Sequence, residues 1–195
     1  NSGDDCNDCL GIPYGLALLD ECGVCEGSGD CDGDGLESCA STPGPVSCWG
    51  RDNYGQITLA PWSNIFTEVA AGADHTCAIR SSGSISCWGR NNYSQSNEPG
   101  GTFIDVDAGK YHTCAVSSGG FISCWGRNNN GQVGDAPEGT FTDVSAGSDH
   151  NCTLDASGSI TCWGYNYYEQ SNPSNGTFTD VEAGGNHNCA LDASG

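Results

Sequence analysis

The sequence contains no methionine, and only five Lys or Arg stand against twenty-five Asp or Glu, for a formal charge of −20 at neutral pH. A surface so acidic repels phosphate backbones and anionic lipids, which argues against nucleic-acid binding and adsorption to membranes. No apolar run approaches the length of a membrane-spanning helix, so membrane insertion is not expected. The chain starts at Asn1 without a charged and apolar leader, so a leader is expected to have been cleaved or to lie upstream. Three catalytic signatures are also missing: a Ser-His-Asp arrangement beyond chance, a phosphate-binding glycine loop and an H-E-x-x-H helix. No enzymatic activity is expected.

Glycine and cysteine are abundant instead. Thirty glycines and few long apolar runs argue against a helical bundle and for an all-β chain of short strands and tight turns. Fourteen cysteines place the chain in an oxidising compartment: secreted, on a cell surface or on a virion surface.

Self-comparison exposes a repeat. Cys-Trp-Gly occurs four times, with Trp49, Trp88, Trp125 and Trp163 spaced by 39, 37 and 38 residues. A second block, such as FTEVAAGADH from Phe66, recurs from Phe103, Phe141 and Phe178 and ends each time in a His: His75, His112, His150 and His187. Seven residues beyond each Trp stands Gln56, Gln95, Gln132 or Gln170. A fixed period of this size marks a repeat architecture.

The cysteines inside a repeat lie ten apart: Cys77 and Cys87, Cys114 and Cys124, Cys152 and Cys162. If each pair faces across an antiparallel hairpin, the residues two steps inward must face each other as well. They are Ile79 with Ile85, Val116 with Ile122 and Leu154 with Ile160, aliphatic every time. Gly83, Gly120 and Gly158 then share one loop position, where positive φ is needed. Hairpin disulfides are therefore expected near 77–87, 114–124 and 152–162. A shortened version joins Cys39 to Cys48, and an incomplete hairpin starts at Cys189. Because the register stops in mid-hairpin at Gly195, the sequence reads as a fragment of a larger protein.

The pattern F-x-x-V-x-A-G-x-x-H-x-C-A-L followed by C-W-G-x-N-x-x-G-Q, clearest at residues 141–164 and 124–134, resembles the regulator of chromosome condensation repeat family. The resemblance covers about residues 36–195 and implies β-propeller blades: four hairpin-containing repeats and the start of a fifth, part of a larger propeller. The paired cysteines resemble those of secreted relatives. Nucleotide exchange on a nuclear small GTPase is one activity in the family, but the disulfides and the acidity do not suit it. Secreted relatives that inhibit β-lactamases through one propeller face imply a protein-binding surface only.

A residue that recurs once per blade is expected to do the same structural job in each. Each His is expected to hydrogen-bond across its own A-G-x-x-H turn and each Trp to fill an inter-blade contact. Arg51, Arg90 and Arg127 are expected to pair with acids or stack on rings. The less repetitive loops after Trp-Gly are where a partner would be read, at Tyr54, Tyr93, Tyr165, Tyr167 and Tyr168.

Residues 1–35 form a separate, irregular, disulfide-rich acidic module. Cys6, Cys9, Cys22 and Cys25 have a spacing that suits zinc thiolates, but an oxidising compartment favours pairing them as disulfides. The segment resembles D-E-C-G-V-C modules of large secreted proteins. Asp30, Asp32 and Asp34 before Gly35 suit a calcium loop, the alternative being a solvated acidic linker. Asn92, Asn151 and Asn175 lie in glycosylation sequons. The functional expectation is a non-catalytic extracellular structural or protein-binding repeat module, acting on a protein partner or by self-assembly. The alternative is a secreted inhibitor or ligand that binds its target through one propeller face.

Overall fold

The computed structural model describes residues 44–193. The chain divides at Pro43/Gly44, and every described strand belongs to the second unit, Gly44–Gly195. The calcium motif at Asp30, Asp32 and Asp34, the cysteines at 6, 9, 22, 25 and 39, and the expected boundary at residue 35 lie outside the described residues.

The described part is all-β. Strand β1 (Gly44–Pro45) joins β2 (Ile65–Ala71), β3 (His75–Arg80) and β4 (Ile85–Gly89) in a first antiparallel sheet. A second sheet contains β5 (Phe103–Ala108), β6 (His112–Ser117) and β7 (Ile122–Gly126). The third contains β8 (Asp143–Ala146), β9 (His150–Leu154) and β10 (Ile160–Gly164). The last pairs β11 (Phe178–Ala183) with β12 (Asn188–Asp192). Each sheet is one propeller blade.

The hairpins have the register the cysteine spacing requires. Cys77 faces Cys87 and Ile79 faces Ile85; the next two blades repeat this with Cys114–Cys124 and Val116–Ile122, then Cys152–Cys162 and Leu154–Ile160. All three cysteine pairs are bonded, with Cα atoms 4.1 Å apart. The turns close through Gly83, Gly120 and Gly158 at φ of 82°, 84° and 82°, a region costly for any residue with a Cβ.

Alternation along β3 sends His75, Cys77 and Ile79 to one face and Thr76 and Ala78 to the other. Cys77 and Ile79 pack, with Ile85, on Phe103, Val106, Ala115 and Trp125 of the next blade. The same contact recurs between Cys114, Val116, Val144 and Trp163, and between Cys152, Leu154 and Val181. The core is therefore a series of blade-to-blade seams, and the disulfides sit inside them: Cys77, Cys114 and Cys152 are fully buried. A blade this thin cannot bury a core alone, which is why stacking and the staple occur together.

The first repeat departs from the expected pattern. Residues 46–49 form no strand; Cys48 is half-buried with no disulfide partner among the described residues, and Cys39, its expected partner, lies outside them. Val46 and Cys48 instead cover the face of Trp88, Phe66 and Ala78, while Trp49 is 86% exposed and fills no inter-blade contact. Burial pushes the Cys48 thiol pKa up.

Candidate functional site

Three sets of residues recur once per blade, and the structure separates those that hold blades together from those that reach solvent. The histidines belong to the first group, in a different role from the one expected. The A-G-x-x-H turn is closed by backbone, with Gly72 N–H donating to the His75 carbonyl at 2.9 Å. The imidazole crosses to the following blade. His75 Nε2 meets Thr113 Oγ1 at 2.9 Å, His112 Nε2 meets Asn151 Oδ1 at 2.6 Å, and His150 Nε2 meets Asn188 Oδ1 at 2.7 Å. Each acceptor is the residue just after the next blade's own histidine.

These acceptors in turn donate to a glutamine carbonyl: Thr113 to Gln95, Asn151 to Gln132 and Asn188 to Gln170. Tryptophans 125 and 163 add their indole N–H to the Gln95 and Gln132 carbonyls, at 2.8 and 3.1 Å. The glutamine side chain folds back, and its Oε1 accepts a loop N–H at 2.8 Å in all four repeats. His, Trp, Gln and the hydroxyl or amide residue thus form one circuit per seam. Since Asn151 and Asn188 present an oxygen, Nε2 carries the proton; Nδ1 of the three rings has no partner, so each imidazole is neutral. Burial holds all three below the ordinary histidine pKa, His75 at about 4 with help from His112.

A second circuit runs down the inner strands. Asp105 Oδ2 accepts the Val144 N–H at 2.6 Å, Asp107 Oδ2 accepts the Ala146 N–H at 2.7 Å, and Glu68 accepts the Val106 N–H at 3.4 Å. Each carboxyl thus caps a backbone donor of the following blade. Glu68, Asp105 and Asp143 form a row of hydrogen-bonded carboxyls. Burial first, and then the adjacent carboxyls, push Asp105 and Asp143 up to about 7. Among the described residues, no group of three or more His, Cys, Asp and Glu is arranged to hold a metal ion. The acidic third position of the F-x-x-V block (Glu68, Asp105, Asp143, Asp180) signals this row in the sequence and was missed there. So was the Thr or Asn that follows each histidine (Thr76, Thr113, Asn151 and Asn188).

The residues that remain available lie on the loops after Trp-Gly. Tyr54, Tyr93, Tyr167 and Tyr168 are 38, 44, 75 and 62% exposed. The Arg90 guanidinium lies 4.9 Å from the Tyr54 ring, 5.2 Å from Tyr111 and 5.9 Å from Tyr93, and so joins loops of adjacent blades. It is held there by Asp74 at 3.1 Å, which keeps the guanidinium's pKa raised. Arg51 reaches the same Asp74 at 3.4 Å, and Arg127 reaches Asp149 at 3.4 Å. Both expectations for the arginines, ion pairing and ring stacking, are met at once. Further along, Tyr165 stacks on Tyr167, and Tyr167 meets Tyr168 edge-on at 4.9 Å. Beside these loops the glycine turns of four blades floor a shallow depression of about 440 Å³, lined by Gly72, Gly109, Lys110, Gly147 and Gly184.

The sequons separate by burial. Asn92 and Asn175 are exposed, but Asn151 is fully buried in a His-Gln circuit, so the folded protein offers no access to it.

Known proteins agree with this architecture. The regulator of chromosome condensation (RCC1) repeat model matches residues 66–95, 103–132 and 141–170. The Physcomitrella patens receptor kinase CR4 ectodomain is 25% identical with a TM-score of 0.67, over 82% of this chain and 47% of that one. The CRINKLY WD40 ectodomain of the Arabidopsis thaliana receptor kinase ACR4 is 25% identical with a TM-score of 0.61, over 79% and 53%. Prp20p of Saccharomyces cerevisiae, whose binding properties to Gsp1p and histones have been described, shares the fold at 18% identity, over 68% and 44%, with a TM-score of 0.59. No curated protein sequence matches the chain. The chain spans about half the length of the two receptor ectodomains. From the matched segments and the seams between them, residues 66–170 are β-propeller blades built of regulator of chromosome condensation (RCC1) repeats.

Proposed function

We propose that the chain is an extracellular protein-binding module whose recognition surface is the face formed by the loops after the Cys-Trp-Gly strands. The observation that carries this reading is the arc of exposed Tyr54 and Tyr93 bridged by the partly buried Arg90. Tyrosine offers large amphipathic area at low entropic cost, and arginine adds directional contacts, a composition suited to protein recognition. His75, His112, His150, Trp125, Trp163 and the glutamines are occupied by the seams, which leaves the loop surface to a partner. Three buried disulfides and the likeness to two receptor ectodomains support an extracellular setting. The half-length match supports a module of a larger secreted, cell-surface or virion protein. For the N-terminal module, calcium at Asp30, Asp32 and Asp34 belongs to the same reading; calorimetric titration with Ca2+ checks it, and a flat titration removes it.

Retention of the protein on extracellular material from its source tests the main reading. The Tyr54→Ser/Tyr93→Ser variant is expected to lose retention while keeping the wild-type melting temperature. Equal retention by both proteins would count against this face.

A further inference from the structure

The loops after the four Cys-Trp-Gly segments are built alike, with one exchange. Two residues beyond the tryptophan stands Arg51, Arg90 or Arg127 in three of them, and Tyr165 in the loop after β10. The backbone is the same in each case. Arg90 N–H donates to the Asp74 carbonyl at 2.8 Å, Arg127 N–H to the Tyr111 carbonyl at 2.9 Å and Tyr165 N–H to the Asp149 carbonyl at 2.9 Å. Each arginine lies over a tyrosine ring: Arg51 over Tyr54 at 6.0 Å, Arg90 over Tyr54 at 4.9 Å and Arg127 over Tyr111 at 5.9 Å. Each also pairs with an aspartate. The loop after β10 keeps rings and a carboxylate but supplies no cation of its own. Tyr167 and Tyr168 are exposed, and the exposed Glu169 beside them makes no ion pair among the described residues. Beyond Arg127 the sequence has nine Asp or Glu and no Lys or Arg, and Arg127 is itself engaged by Asp149.

We propose that the loop after β10 docks a basic segment of a protein partner, whose Arg or Lys lies on the Tyr167 and Tyr168 rings beside the Glu169 carboxylate. The proposal rests on the protein-binding reading and gives it a partner chemistry. The chain itself makes the same contact one loop earlier, where the Arg90 guanidinium lies among tyrosine rings and pairs with Asp74. The negative face of an aromatic ring attracts a cation, and a planar guanidinium stacks on it as well. Charge selects the occupant. A basic segment is steered to this cation-free part of an acidic molecule, and an acidic one is repelled from it. The loop is in shape before a partner arrives. Asn166 Oδ1 accepts the Ser171 N–H at 2.8 Å, Asn166 Nδ2 donates to Asn172 Oδ1 at 3.1 Å, and Gln170 Oε1 accepts the Tyr168 N–H at 2.8 Å. Binding therefore orders little that is not already ordered.

A random peptide library displayed on phage, panned on the full chain, tests this. Selected peptides are expected to be enriched in Arg and Lys and to bind more weakly as salt rises. They should bind the Tyr167→Ser/Tyr168→Ser variant about tenfold more weakly and Glu169→Gln about threefold more weakly. Ala156→Lys, at the hairpin turn of the same blade, changes the net charge by as much as Glu169→Gln does and should leave binding within about twofold. All four side chains are exposed, so the fold is retained, which an unchanged melting temperature verifies. Basic peptides that bind the wild type and every variant alike would overturn the site, since net charge alone would then attract them. Neutral or apolar peptides, or peptides that depend on Tyr54 and Tyr93 instead, would overturn it and leave the protein-binding face standing. No enrichment of any peptide would overturn both. Tighter binding of spermine than of any selected peptide, lost in the tyrosine variant, would overturn the peptide in favour of a free polyamine.

Discussion

His112 in one blade donates its Nε2 proton to Asn151 of the next at 2.6 Å, and both side chains are fully buried. The pair joins positions 39 residues apart and repeats, with Thr or Asn as acceptor, at the seams on either side. Removing the ring leaves a cavity and an amide oxygen whose remaining neighbour is the Cys114 sulfur. His112→Ala is expected to cost about 2–4 kcal/mol in urea unfolding. Tyr93→Ser, on the exposed loop face, should stay within about 0.5 kcal/mol of wild type. Equal losses would mean that the loop face is structural too.

Glycan occupancy should follow the same seam. In a host that glycosylates secreted proteins, Asn92 and Asn175 are expected to be modified and Asn151 to remain bare, read by peptide mass after enzymatic deglycosylation. A glycan on Asn151 would require that side chain to leave its contacts with His112 and Gln132.

Acid and base act on different circuits. The folded pKa of Asp105 and Asp143, about 7, lies above the ordinary 3.8, so their contribution to stability is full below about pH 4 and is lost as pH rises through 7. His75 has the opposite sign: it is held at about 4, so its contribution is present above about pH 6.5 and is lost as pH falls through 4. Asp105 faces Glu68, Asp143 and the Val144 amide, and Asp143 also feels Asp180 and Glu182. Asp105→Asn keeps an acceptor for Val144 but cannot ionise. Its stability relative to wild type should grow between about pH 5 and 8, by on the order of 2 kcal/mol. A difference in melting temperature that is constant across this range would contradict the buried row.

The glycine of the A-G-x-x-H turn tests the close approach of neighbouring blades. A Cβ on Gly72 would come within 2.7 Å of His75 Nδ1 and 2.6 Å of the Gly109 carbonyl in the next blade. Gly72→Ala should therefore destabilise by about 1–3 kcal/mol, with a matching drop in melting temperature. A neutral effect would show that the seam is looser than these distances.

The hairpins were legible in the sequence because cross-strand geometry is local: cysteines ten apart, aliphatic residues two steps inward and a glycine in the loop determine one register. The exposed tyrosines were legible because aromatic side chains stand out in loops otherwise rich in Asn, Ser and Gly. The partner of each histidine was not, since it comes from the following blade, and a sequence read one repeat at a time favours the nearer turn. Burial hid the role of Asn151 in the same way, because a sequon in a strand reads like one in a loop. The carboxyl row was written at one position of every repeat, yet acidic residues are so common here that four more did not stand out.

Photo-crosslinking from two ends of the blades tests the recognition face most directly. A photoreactive phenylalanine analogue would replace Tyr93 on the loop face or Phe121, 61% exposed at the hairpin turn of the second blade, and the protein would be irradiated with extracellular material from its source. Discrete protein adducts from position 93 and none from 121 are the expected result. Adducts from 121 alone, or equally from both, would contradict a recognition surface on the loops after Cys-Trp-Gly.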